Sequence, residues 1–123
     1  MIVLADTSVW IDHWRRGNAR LERLLLEDRV VLHPFVLGEI ALGAVTPRAQ
    51  VLEHLATLRA PRVAQQQEIM ALIERARLWR RGIGWVDIHL LASALIEQIG
   101  LWTLDGALAN AAREIGVGLP IPG

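Results

Sequence analysis

Four short runs of uncharged, mostly apolar residues punctuate the chain at positions 1–5, 30–32, 101–104 and 117–119. Each is too short for a stable helix and too continuously apolar for a strand with one wet face, so each is predicted to be a strand buried on both sides. The stretches between them carry apolar residues at helical spacing. Buried strands alternating with helices require right-handed crossovers and a parallel sheet covered on both faces. The expected fold is therefore a three-layer α/β/α domain whose central parallel sheet has four or five short strands. In such sheets ligands bind beyond the carboxyl ends of the strands.

The helices follow from punctuation and periodicity. Asp6-Thr7-Ser8 offers capping side chains before a helix carrying Val9, Trp10, Ile11 and Trp14, which stops at Gly17-Asn18. Leu21, Leu24 and Leu25 mark a second helix, and Pro34 opens an apolar helix over 35–44. Thr46-Pro47 starts another, running to about position 58. Over 65–81, Ile69, Leu72, Ile73, Ala76 and Trp79 predict one long amphipathic helix. Asp87 should open the next, whose stripe Ile88, Leu91, Ala92, Leu95, Ile96 and Ile99 ends at Gly100; a last helix covers 107–115. No linker or repeat interrupts the 123 residues, which are expected to form a single domain.

At 53% apolar and 21% charged the composition is globular, and the absence of cysteine excludes disulfides and thiolate metal sites. No basic leader precedes the first apolar run and no uncharged stretch approaches the ~18 residues of a membrane span, so a cytoplasmic protein is expected. The formal net charge is zero, which argues against a wholly basic nucleic-acid binder, yet all thirteen basic residues are arginines. They cluster at Arg15, Arg16, Arg20 and Arg23 and at Arg75, Arg77, Arg80 and Arg81, where a locally basic field could surround an acidic pocket.

Three aspartates follow apolar segments: Asp6, Asp87 and Asp105. Glu39 lies inside the apolar stretch 35–42. No arginine falls within 1–14, 30–47 or 82–112, the segments holding these four acids, so local ion pairs cannot account for them. An unpaired carboxylate removed from water costs several kcal/mol. A shared divalent cation is the economical explanation, and oxygen ligands favour Mg²⁺ or Mn²⁺. Each acid also has a plainer role: Asp6 and Asp87 as helix caps, Asp105-Gly106 as a turn, Glu39 as an outward-pointing side chain. Ser8 and Thr103 are candidate hydroxyl partners of the acids. His13, His33, His54 and His89 lack metal-ligand spacing, and His89, two residues beyond Asp87, is expected to be structural. Asp12 is expected to face solvent, and the five tryptophans to serve mainly in core or interface packing.

Four segments resemble the PIN-domain ribonucleases, specifically the VapC-type toxins of prokaryotic toxin–antitoxin pairs. They are Leu4-Ala5-Asp6-Thr7-Ser8-Val9-Trp10-Ile11-Asp12, Leu37-Gly38-Glu39-Ile40-Ala41-Leu42-Gly43, Gly84-Trp85-Val86-Asp87-Ile88-His89-Leu90-Leu91-Ala92-Ser93-Ala94 and Leu101-Trp102-Thr103-Leu104-Asp105. The resemblance spans nearly the whole chain and implies a Mg²⁺- or Mn²⁺-dependent endoribonuclease with Asp6, Glu39, Asp87 and Asp105 as its acidic quartet. It further implies a VapB-like antitoxin and a homodimer. On that reading Arg15, Arg16, Arg80 and Arg81 are candidates to contact RNA phosphates. A non-catalytic RNA-binding or regulatory module is the alternative. Receiver domains, haloacid-dehalogenase-like phosphatases and P-loop enzymes need a lysine that this chain does not possess.

Overall fold

The computed structural model describes residues 1–119. Among them, three strands form one parallel sheet in the order β2-β1-β3: β1 (Val3–Ala5), β2 (Val30–Val31) and β3 (Gly100–Trp102). The central strand pairs Leu4 with Val31 on one side and with Leu101 on the other. Leu4 and Ala5 are completely buried, as a strand covered on both faces requires. The architecture is the expected three-layer α/β/α arrangement.

Seven helices among the described residues enclose the sheet: α1 (Thr7–Arg16), α2 (Ala19–Leu26), α3 (Pro34–Leu42), α4 (Arg48–Leu55), α5 (Gln66–Ala76), α6 (Trp85–Glu97) and α7 (Gly106–Glu114). Helix α6 is buried continuously from Ile88 to Ala94, the pattern of a helix enclosed by protein on all sides. Its Ser93 hydroxyl finds the Arg62 carbonyl at 2.6 Å, so even this buried polar group is satisfied.

Several predicted boundaries shift for local reasons. The segment 117–119 is not a fourth strand: the amides of Val117 and Gly118 both donate to the Ala112 carbonyl and close α7, leaving one bridge between Leu101 and Gly118. Helix α5 ends at Ala76, not at 81. Arg77 takes a left-handed φ of 54° and the Leu78 amide reaches back to the Ile73 carbonyl at 3.0 Å, a Schellman-type stop that buries Leu78 and leaves Trp79 half exposed. Helix α6 begins two residues before Asp87 and ends on left-handed Gln98, where the Ile99 amide bonds to the Ala94 carbonyl; Gly100 is thus the first residue of β3. Asp12, expected to face solvent, is partly exposed and also bonded. It receives Arg16 at 2.6 Å and the Asn18 side-chain amide at 3.2 Å, tying α1 to the residue that caps α2.

Candidate active site at the strand ends

Asp6 stands one residue past the central strand. Its amide donates to the Trp102 carbonyl at 3.0 Å, the last link between β1 and β3, and its carboxylate turns back as the N-cap of α1, accepting the Val9 amide at 3.3 Å. The Ser8 hydroxyl donates to Oδ1 at 2.5 Å and the Thr103 hydroxyl donates to Oδ2. The same hydroxyl oxygens accept backbone amides, each at 3.0 Å: Ser8 that of Leu104 across the site, and Thr103 that of Asp105 within its own loop. These bridges take Thr103 and Leu104 out of the strand predicted over 101–104 and fasten the end of β3 to the start of α1.

Asp6 is only 7% exposed. Five ion pairs occur among the described residues, and none includes Asp6, Glu39, Asp87 or Asp105. Burial pushes the Asp6 carboxyl above its ordinary range; the bonds from Ser8, Thr103 and Val9 oppose that rise, and the negative charge of Asp87 adds to it. The Asp87 effect puts these two acids, far apart in sequence, within electrostatic reach of one another.

The other acids are more open. Asp87 lies in the first turn of α6, where Oδ2 accepts the Gly84 amide at 2.9 Å. Asp105 caps α7, with Oδ2 accepting the Leu108 amide at 2.9 Å, and is exposed. Glu39 is exposed on α3, where Oε1 accepts the Thr7 hydroxyl at 2.7 Å. The cost of desolvation thus singles out Asp6 alone, and the inference that apolar neighbours bury Glu39 does not hold: Val36 and Ile40 face the core while Glu39 points between α3 and α1. Asp6, Asp87 and Asp105 all lie at helix N-termini, whose positive dipole ends favour negative charge.

Among the described residues no group of three or more His, Asp or Glu side chains is set to hold a metal ion as it stands. The donor chemistry nevertheless suits a hard cation. The atoms at Asp6 that could ligate a cation are carboxylate and hydroxyl oxygens, no ion pair among the described residues answers its charge, and Mg²⁺ keeps several waters so that one or two carboxylates suffice. Thr7 was legible in the sequence only as a capping candidate, although its place between Asp6 and Ser8 puts it on the first turn of α1 facing the Glu39 helix.

Of the candidate RNA contacts, Arg16 is engaged by Asp12 and Arg81 forms a two-pronged pair with Glu114 at 2.9 and 2.7 Å. Arg15 and Arg80 enter no ion pair among the described residues. His89 is buried with Nδ1 at 2.9 Å from the Trp85 carbonyl, in keeping with a structural role. Trp10 and Trp102 are core residues, whereas Trp14, Trp79 and Trp85 keep 38%, 50% and 48% of their surface exposed.

The chain matches the PIN domain family across residues 3–114. Over 119 residues it is 46% identical to Ribonuclease VapC32 of Mycobacterium tuberculosis strain CDC 1551 / Oshkosh, and equally to the protein of the same name from strain ATCC 25618 / H37Rv. Each match covers 96% of this chain and 96% of the relative.

Proposed function

We propose that this chain, which belongs to the PIN-domain family, is a Mg²⁺- or Mn²⁺-dependent endoribonuclease acting as the toxin of a toxin–antitoxin pair. The observation that carries this reading is the buried Asp6 carboxylate, which enters no ion pair among the described residues and is held by two hydroxyls at the end of the central strand with Asp87 close enough to perturb it. The similarity to Ribonuclease VapC32 over nearly the whole chain supports it.

In this reading Asp6 and Asp87 would hold the ion, and Asp105 and Glu39 would complete the acidic edge. A bound divalent cation supplies Lewis-acid charge at the phosphoryl oxygens. Ser8 and Thr103 fix the orientation of the Asp6 carboxylate, so little reorganisation is needed when the ion binds. Glu39, exposed and steadied by Thr7, is suited to take a proton from an attacking water. Arg15 and Arg80, with Arg16 and Arg81 beside them, would hold the RNA backbone by charge.

We further propose that residues 1–123 act as one domain in the cytoplasm, restrained by a VapB-like antitoxin, and that α3 or α5 serves a homodimer contact. No helix among the described residues is long and apolar enough to cross a membrane. The test is cleavage of RNA by purified protein with and without Mn²⁺. Asp6→Asn should lose more than the roughly 10- to 100-fold that removing an outer partner of a metal site costs. Equal cleavage by wild type and variant, or cleavage unaffected by chelator, would overturn the assignment; RNA binding without cleavage would favour the non-catalytic alternative.

A further inference from the structure

A cleft of about 400 Å³ opens beside Glu39, between α1 and the end of α3 with the loop that follows it. From α1 it is lined by Thr7, Ile11, Trp14 and Arg15, positions i, i+4, i+7 and i+8, which form one face of that helix. The opposite wall is made by Glu39, Ile40 and the short-side-chain segment from Gly43. This face is not the one α1 uses to fold, because its core contacts are Val9 and Trp10. Ile11 and Trp14 are left 39% and 38% exposed, with Trp14 packed against Trp10 on one side and open to the cleft on the other.

The contents of the cleft match a nucleotide. Trp14 is braced by buried Trp10, with ring centroids 5.9 Å apart and planes inclined at 33°, so its outer surface is presented on a fixed support. Arg15 enters no ion pair among the described residues, whereas its neighbour Arg16 is held by Asp12. At the far end, Thr7 and Glu39 join the cleft to the acidic edge. From Thr7 to Trp14 the helix axis rises roughly 10 Å, within reach of the nucleotides next to a phosphate bound at the acids.

We propose that this cleft is a base-binding subsite for single-stranded RNA, in which the base flanking the cleaved bond stacks on Trp14 and its phosphate is met by Arg15. This rests on the ribonuclease reading and specifies where the substrate lies. Stacking tolerates every base because each has a π-face, so Trp14 would set position along the strand more than sequence. A polypeptide segment from a partner protein is the competing occupant.

The experiment uses the full chain and a short oligoribonucleotide that wild type cleaves, with an abasic site walked along it one position at a time. One position should raise KM by between about 5-fold and 150-fold, the range for losing one base–aromatic stack, with kcat much less affected. In Trp14→Leu the intact RNA should show a similar KM increase and the penalty at that position should vanish, while Trp14→Phe restores part of it. Arg15→Gln should weaken binding and make it less salt-dependent without removing the abasic penalty. A position-specific penalty that persists undiminished in Trp14→Leu would overturn the subsite. So would an unchanged KM in both variants, or variants that lose only inhibition by a bound partner protein. Wild type that cleaves no RNA at all would instead overturn the ribonuclease reading on which the subsite depends.

Discussion

Asp6→Asn should separate what Asp6 does for folding from what it does for metal. An amide oxygen in place of Oδ1 can still accept from Ser8 and from the Val9 amide, so the cap of α1 survives; the amide nitrogen in place of Oδ2 makes the Thr103 hydroxyl an acceptor instead of a donor, and the variant no longer carries a buried charge. The metal-free variant should therefore be at least as stable as wild type. Because the folded carboxyl is pushed above its ordinary value of 3.8, the folded state holds this proton more tightly than the unfolded chain. Its contribution to stability is full below that value, declines as pH rises to the folded pKa and is constant above it. The advantage of the variant should grow across that window and level off above the folded pKa. Divalent metal reverses the order. At a Mn²⁺ concentration one hundred times the dissociation constant, binding to the folded state alone adds about 2.7 kcal/mol. For 123 residues, an unfolding entropy of about 0.26 kcal/mol per kelvin turns this into a rise in Tm of roughly 10 °C. If losing one charged ligand weakens binding about 100-fold, the same Mn²⁺ concentration gives the variant about 0.4 kcal/mol, or roughly 2 °C. Thermal unfolding followed by circular dichroism, with and without Mn²⁺ at neutral pH, reads both numbers. An equal Mn²⁺ shift in the two proteins would refute Asp6 as a ligand, and a metal-free variant less stable than wild type would refute the account of its buried charge.

Two further outcomes follow from the same geometry. Thr103→Val removes the hydroxyl that donates to Asp6 and accepts the Asp105 amide, so it should cost about 1.5–3 kcal/mol in metal-free stability at neutral pH. The loss should shrink in acid, where Asp6 is protonated; denaturant unfolding at both pH values checks this, and a cost independent of pH would show that the bond to the carboxylate is not its source. His33 is fully buried, accepts the Phe35 amide on Nδ1 at 2.9 Å, and burial with nearby His89 lowers its pKa to about 4. Its folded pKa lies below the ordinary 6.5, so this part of stability is present above pH 6.5 and is lost as pH falls toward about 4. His33→Asn, which keeps a capping acceptor, should flatten the pH dependence of unfolding free energy across that window, and an unchanged slope would exclude His33 as the titrating group.

The sheet was legible because a strand buried on both faces needs an unbroken apolar run, and residues 3–5, 30–31 and 100–102 provide one. The segment 117–119 offers the same signal, but its amides are used to close α7, a hydrogen-bond choice that residue types do not encode. Helix ends failed where a non-glycine residue takes the left-handed cap. Arg77 and Gln98 do so at φ of 54° and 56°, and neither residue type announces a stop. Arg77 can do so because burying Leu78 beyond the cap stabilises the turn by tertiary contact.

The four acids were found from the absence of cations around them, yet that signal treated capping and metal binding as rivals, and the hydrogen bonds show that they need not be. Asp87 gives Oδ2 to the Gly84 amide, Asp105 gives Oδ2 to the Leu108 amide, and Glu39 gives Oε1 to Thr7. In each case one oxygen fixes the carboxylate to a helix terminus or a neighbouring helix, and no side-chain or backbone donor among the described residues takes the other. A side chain held this way loses rotamer freedom on folding instead of on binding, which lowers the entropic cost of meeting an ion. Asp6 differs because both of its oxygens accept hydroxyls and it alone is buried. It therefore carries an electrostatic penalty that a cation would relieve, and the three more open acids retain free oxygens toward which such an ion and its waters could be drawn.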